Sequence, residues 1–102
     1  MEPVRRIGIV GGDERKTRSY PDGIEIRRYG SAHFKGNGAL RQILAAIASG
    51  GLDVVVLMVR WLGHSMSEKV RAACRLSGIP CRIVPGGESS VLRVVRTLVG
   101  ET

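Results

Sequence analysis

Three short segments rich in glycine, serine and histidine could bind an anion. Each follows an apolar stretch typical of a buried strand: Gly11-Gly12-Asp13 follows Val4–Val10, Gly63-His64-Ser65 follows Val54–Val59, and Gly86–Ser90 follows Cys81–Val84. In an open parallel sheet, the turns after the strands meet at one edge, where ligands bind. Glycine permits close backbone approach, and free N–H groups at a helix start favour anions. We therefore expect these segments to hold a phosphate-bearing small molecule, most simply a nucleotide.

The proposed ligand site draws on all three segments and on one arginine. His64 could bind phosphate or act as an acid or base near neutral pH, and Arg60, which ends an apolar run, could balance the charge of the ligand. The alternative is structural, since tight turns and helix caps use the same residue types. The candidate ligand-binding residues are Gly11, Gly12, Asp13, Arg60, His64, Ser65, Gly86, Gly87, Ser89 and Ser90.

Known catalytic and cofactor motifs do not support a specific reaction. The first segment is not G-x-G-x-x-G, and the third lacks the Gly-Lys-Ser/Thr ending of a P-loop. The chain has no G-x-S-x-G elbow. No catalytic residue or cofactor is assigned, and whether the protein is an enzyme stays open. A phosphate-handling enzyme with His64 as acid or base is one alternative, with Asp13, Glu14 and Glu88 as the other candidate acid/base groups.

A formal net charge of +7 over 102 residues and a pI near 10.5 allow a second kind of ligand. A basic face could bind the phosphate backbone of a nucleic acid. The alternative is a solvated basic surface. The residues that would form the nucleic-acid face are Arg15, Lys16, Arg18, Arg27, Arg28 and Lys35.

Hydropathy patterns predict the elements that position these residues. Val4–Val10, Ile24–Tyr29, Val54–Val59 and Cys81–Val84 are predicted strands, and the alternation in Ile24–Tyr29 indicates an edge strand. A basic loop is expected at residues 11–23, and another loop at residues 30–38. Helices are predicted over Ala39–Ser49, from a cap at Ser65 or Ser67 to Gly78, and from a cap at Ser89 or Ser90 onward.

This element order predicts one small Rossmann-like or flavodoxin-like α/β domain over residues 1–102. We expect three layers, with about three helices around a four-stranded, mainly parallel sheet of order 2-1-3-4. Right-handed crossovers place the first two helices on the same face. The last helix then covers the other face alone, so that face or helix is expected to pack against a second subunit in a homodimer. The alternative is a monomer with a wide core-facing helix.

The remaining signals concern metal, redox state and location. Cys74 and Cys81 lack metal-ligand spacing and are expected to be small buried side chains, with a disulfide or redox role as the alternative. No apolar run reaches the ~18 residues of a membrane span, and no signal-peptide h-region is visible. We therefore expect a cytoplasmic protein with no membrane partner.

Three segments in the second half of the chain form a recognisable set: the turn and His-Ser pair at Arg60–Ser65, the Gly-Ile-Pro step at Ala73–Pro80, and the helix start at Gly87–Leu92. With these segments, the second half resembles a Rossmann-like bacterial family, domain of unknown function 2325 (DUF2325). Gly11-Gly12-Asp13 fits the start of the family. The resemblance implies a fold and no reaction. It departs at residues 14–23, where the family more often has a helix.

Overall fold

The computed structural model describes residues 5–11, 23–29, 38–59, 63–85 and 87–100, with the backbone alone at Ala39, His64 and Glu88. Most of the two predicted loops, residues 12–22 and 30–37, lies outside these ranges.

Four parallel strands form the sheet at the centre of the fold. They are β1 (Arg6–Val10), β2 (Glu25–Tyr29), β3 (Val54–Met58) and β4 (Cys81–Val84). Their order is β2-β1-β3-β4, and every neighbouring pair is parallel. The predicted α/β class and strand order are therefore confirmed. All five residues of β3 are buried, as expected for an apolar strand covered on both faces.

Two helices cover one face of the sheet. Helix α1 (Gly38–Ala48) and helix α2 (His64–Ser77) pack on each other and on the sheet. Alternate strand residues point to this face because side chains along a strand alternate between faces. The buried residues of this cluster are Val10, Tyr29, Ile43, Ile47, Leu52, Val55, Leu57, Met66, Val70 and Cys74. The prediction that the first two helices share a face is confirmed.

Helix α3 (Glu88–Leu98) covers the opposite face. Val91 and Val95 are buried against that face, and Val94, Leu98 and Val99 are partly buried around them. The strand residues in this second cluster are Ile7, Ile9, Val54, Val56, Met58 and Val84. The sheet is thus the middle of the three layers that the sequence predicts.

Asp53 joins the amino ends of β1 and β3. Its Oδ2 accepts the backbone N–H groups of Arg5 and Arg6, at 3.0 and 2.8 Å. The Arg6 guanidinium lies 3.4 Å from Oδ1, and the Asp53 N–H donates to the Arg6 carbonyl at 2.8 Å. These hydrogen bonds hold the pKa of Asp53 below its usual value. Both central strands are therefore fixed at the edge opposite the candidate site.

The predicted serine caps of α2 and α3 are wrong. Gly63 and Gly87 are the N-cap residues, and neither helix has a side-chain hydrogen bond at its cap. The helices consequently begin earlier than the serine caps require. The predicted end of α2 is confirmed, since Gly78 adopts the left-handed conformation (φ 71°) and its N–H donates to the Arg75 carbonyl.

No helix within the described ranges is long and apolar enough to span a membrane.

Candidate functional site

The carboxyl ends of the four strands lie along one edge of the sheet. Val10 pairs with Tyr29 on one side and with Leu57 on the other, and Met58 pairs with Val84. The three glycine-containing segments follow β1, β3 and β4, so they begin at this common edge. We call it the carboxyl edge. Its centre is the gap between β1 and β3, where the chain changes its direction of travel across the sheet, and such switch points are the usual binding crevices of open α/β sheets.

Gly11 extends the pairing of β1 with β2 by one residue. It has a φ of 101°, a conformation that side-chain-bearing residues rarely adopt, and its N–H donates to the Tyr29 carbonyl at 2.8 Å. This hydrogen bond occupies the N–H group of Gly11. Gly11 could therefore contribute a close backbone approach to a ligand, but its N–H is not a free donor.

Helix α2 begins at the carboxyl edge after β3. Gly63 has an extended conformation (φ −73°, ψ 160°), and its carbonyl accepts the Ser67 N–H at 3.1 Å. The N–H groups of the first helical turn have no partner within a helix, and no side chain of the described residues caps them. Ser65, the second residue of the helix, is exposed. The helix start thus offers backbone donors and a nearby hydroxyl group.

Helix α3 begins in the same way after β4. The carbonyl of Gly87 accepts the N–H groups of Ser90 and Val91, at 3.1 and 3.2 Å. No side chain within the described part of the chain caps the first turn. Ser89 is exposed and Ser90 is half-buried. The two predicted serines therefore lie in the first turn of the helix, where their hydroxyls could join its backbone N–H groups in binding an anion.

Both N-cap positions face open space. A Cβ atom built on Gly63 or Gly87 would meet no described atom within 4 Å, and both φ angles are negative. Neither conformation nor crowding by the described residues requires glycine at these two positions. There is accordingly room over both helix starts for a group that is not part of the described chain.

Arg27 and Arg28 do not form a single basic face. As neighbours on β2 they point to opposite sides of the sheet, Arg27 to the side of Tyr29 and Arg28 to that of Ile26. The Arg27 guanidinium lies 3.4 Å from the Glu25 carboxylate, with both side chains about half exposed. The structure therefore describes two of the six residues predicted for the nucleic-acid face, and these two lie on opposite sides of the sheet.

The other candidates lie outside the described residues. These are Gly12, Asp13, Arg60 and Gly86 of the ligand site, and Arg15, Lys16, Arg18 and Lys35 of the basic face. The side chain of His64 is also outside the description, although its backbone forms the first residue of α2. The described residues contain no group of three or more acidic, histidine or cysteine side chains that could hold a metal ion.

Gly63 lies in the second predicted segment but is not among the ten candidate ligand-binding residues. It precedes His64 directly, and glycine is among the favoured N-cap residues, so its position in the sequence was consistent with an N-cap. Ser65 and Ser67 are also favoured N-cap types, and they were the stronger candidates for the cap.

A family model covers almost the whole chain. The model of the bacterial family described as "Uncharacterized protein conserved in bacteria (DUF2325)" matches residues 6–98. This range includes all four strands and all three helices of the described structure. Neither a curated protein nor a solved structure matches the chain significantly.

Proposed function

The chain belongs to the DUF2325 family, and on that premise we propose that it is a small ligand-binding domain. The ligand is a phosphate-bearing small molecule, most simply a nucleotide, held at the carboxyl edge. Its role is sensory or regulatory. One observation carries the proposal: α2 and α3 start from adjacent parallel strands at this edge, and no described side chain caps either helix.

The two helix starts suit an anion for electrostatic reasons. Each helix carries a partial positive charge at its N-terminus, where backbone N–H groups point outward. Because α2 and α3 lie on opposite faces of the sheet, their N-termini approach the edge from both sides. A phosphate group at either helix start, or a ligand that spans both, would meet donors without a competing side-chain cap.

The site residues have separate roles in this proposal. The first-turn N–H groups of α2 and the N–H groups of residues 88 and 89 in α3 bind the anion, and Ser65, Ser89 and Ser90 add hydroxyl donors. Gly11 keeps the end of β1 open to a close approach. Gly12, Asp13, Gly86, Arg60 and the imidazole of His64 complete the predicted site on sequence grounds alone.

Titration calorimetry of the native protein tests the proposal directly. The probes are ATP, ADP, AMP and inorganic phosphate, each at low and at physiological salt. Saturable binding of one probe with a stoichiometry near one, retained at physiological salt, supports a formed pocket. Heats that vanish at physiological salt for every probe contradict it, because they indicate screened attraction to a basic surface.

The charge distribution favours nucleic acid as a second candidate ligand. Within the described residues, ion pairs join Arg6 to Asp53 and Arg27 to Glu25. The arginines of α2, β4 and α3 take part in neither pair: Arg71, Arg75, Arg82, Arg93 and Arg96. Binding to DNA or RNA that weakens steeply with salt would support this function. The predicted basic loop is tested by neutralising Arg15, Lys16 and Arg18 together.

The protein works as a homodimer, supported by the half-buried Leu92, Val94 and Leu98 on the one helix that the described residues place on that face of the sheet. It acts in the cytoplasm.

The alternative function is a phosphate-handling enzyme that uses His64 as acid or base. Release of phosphate from a nucleotide by the native protein, and its loss in His64→Ala, would support this alternative.

A further inference from the structure

The two cysteines of the chain lie on either side of one helix end. Cys74 is in the last turns of α2, and Cys81 is the first residue of β4. Between them Gly78 adopts its left-handed conformation, and the Ile79 N–H donates to the Cys74 carbonyl at 2.9 Å. This turn reverses the chain, so β4 begins beneath the helix that it has just left.

The turn brings the two side chains into the same apolar cluster. Cys74 is buried in the cluster under α1 and α2, and Cys81 packs against that cluster. The two thiols are close enough for each to shift the pKa of the other, and both are free. Cys81 is only partly buried, because β4 is the end strand of the described sheet. The expectation that both cysteines are buried is thus met by Cys74 and only in part by Cys81.

The surroundings favour a thiolate on Cys81 over one on Cys74. The neighbouring Cys74 thiol lowers the pKa of Cys81; partial burial opposes this shift, and the positive charge of Arg71 adds to it. The Cys81 thiol raises the pKa of Cys74, and burial adds to that effect. Arg71 lies three residues before Cys74, about one turn earlier on α2. The partly exposed sulfur is therefore the more nucleophilic one, since a thiolate is the reactive form.

We propose that Cys81 is a site of reversible thiol modification by low-molecular-weight disulfides such as oxidised glutathione, and that Cys74 resolves the adduct as an intrachain disulfide. The Cys81 thiolate attacks one sulfur of the small disulfide, forms a mixed disulfide and releases one thiolate. Cys74 then attacks the Cys81 sulfur and gives up its proton to the departing sulfur, so that the second half of the small disulfide leaves as a thiol. In total, two cysteine thiols are oxidised and one small disulfide is reduced to two thiols.

The product ties the end of α2 to the start of β4. Both atoms of this link lie at the amino end of β4, away from the helix starts at the carboxyl edge. The modification is therefore independent of the proposed ligand site.

Mass spectrometry of the intact native protein tests the pair. The protein is incubated with oxidised glutathione, quenched with acid and measured without reduction. We expect the chain to lose the mass of two hydrogen atoms and to stay a single covalent chain, and reduced glutathione to reverse the change. An unmodified chain, a stable glutathione adduct or a covalent dimer would each overturn the proposal.

Single-cysteine variants assign the two roles, since each leaves one thiol. Cys74→Ala should retain one glutathione on Cys81, because no resolving thiol remains. Cys81→Ala should stay largely unmodified over the same time, because Cys74 is buried. Arg71→Gln should slow the first step without moving the adduct to Cys74. Equal reaction rates in the two cysteine variants would overturn the assignment, whatever the effect of Arg71→Gln.

Discussion

Gly63 and Gly87 are the N-cap residues of two helices that start from adjacent strands but lie on opposite faces of the sheet. No described side chain caps the first turn of either helix, and a Cβ atom at either glycine would meet no described atom within 4 Å. The carboxyl edge therefore has an uncapped helix start on either side. This relationship distinguishes the edge from the opposite one, where the Asp53 carboxylate already occupies the backbone donors of Arg5 and Arg6.

Capping α3 with a side chain should stabilise the fold. Asp or Asn at position 87 fits the extended backbone there and supplies the missing acceptor for a first-turn N–H group. We expect both Gly87→Asp and Gly87→Asn to raise the free energy of unfolding, by about 0.3–1 kcal/mol. Urea unfolding in phosphate-free buffer measures the change. A loss of stability in both variants would show that the N-cap does not have the described open geometry.

The close approach of β1 to the chain after α1 should make Gly8 intolerant of a side chain. A Cβ at Gly8 would lie 2.7 Å from Cδ1 of Leu52 and 3.5 Å from Cδ1 of Ile43. Both neighbours are buried, so Gly8→Ala should cost about 1–3 kcal/mol of stability. Chemical denaturation measures the cost.

Shortening Leu52 provides the matched control for Gly8→Ala. In a double-mutant cycle, Leu52→Ala should remove part of the penalty, so the two changes together should cost less than their sum. Strictly additive losses would contradict a direct contact between these positions.

The Asp53 carboxylate should make stability depend on acid pH. Its pKa is lowered in the folded protein from an ordinary value of 3.8, chiefly by the backbone hydrogen bonds from Arg6 and Arg5. A lowered folded pKa means that the contribution is complete above the unfolded pKa and is lost as pH falls through the folded pKa. Asp53→Asn should therefore cost about 1–2 kcal/mol near neutral pH and progressively less at lower pH.

Unfolding curves from neutral pH to below pH 3.8 test this sign. Glu25→Gln is the control, because its pair with Arg27 is about half exposed on both sides and should contribute little. A cost for Asp53→Asn that does not shrink toward low pH would contradict the role of the carboxylate.

The proposed homodimer should be visible by light scattering at micromolar concentration. If α3 forms the interface, Leu92→Glu should convert the dimer to a monomer, since it introduces a charge among the half-buried residues of that helix. The exposed Arg93→Glu is the control for added negative charge, and it should retain the dimer unless it lies within the interface. A strict monomer for the native protein would remove the dimer from the proposal.

Much of the fold is predictable from hydropathy alone. The apolar run at Val54–Met58 and the alternation near Glu25–Tyr29 give a central and an outer strand, and the crossovers between them give the sheet order. The helix starts are less predictable, because a glycine and two serines compete as caps within five residues, at Gly63, Ser65 and Ser67. The residue types do not determine the backbone angles, and it is the extended backbone of Gly63 that makes it the N-cap.

The long-range partners of the site are beyond local sequence patterns. The hydrogen bond from Gly11 to Tyr29 depends on the register of β1 against β2, and no local pattern gives that register. The partial exposure of Cys81 depends on β4 being the end strand of the described sheet. The sequence could thus predict that the candidate site lies at the carboxyl edge. Which backbone N–H groups are available there follows only from the three-dimensional fold.

The most direct test of the anion site compares ligand binding in two double variants. Gly63→Asp with Gly87→Asp places a carboxylate at both helix starts, whereas Gly63→Asn with Gly87→Asn provides neutral caps of nearly the same shape. Calorimetry with the tightest-binding nucleotide or phosphate should show affinity at least about tenfold weaker for the Asp pair than for the Asn pair, a difference of about 1.4 kcal/mol. Equal affinities in the two folded variants would contradict anion binding at these helix starts.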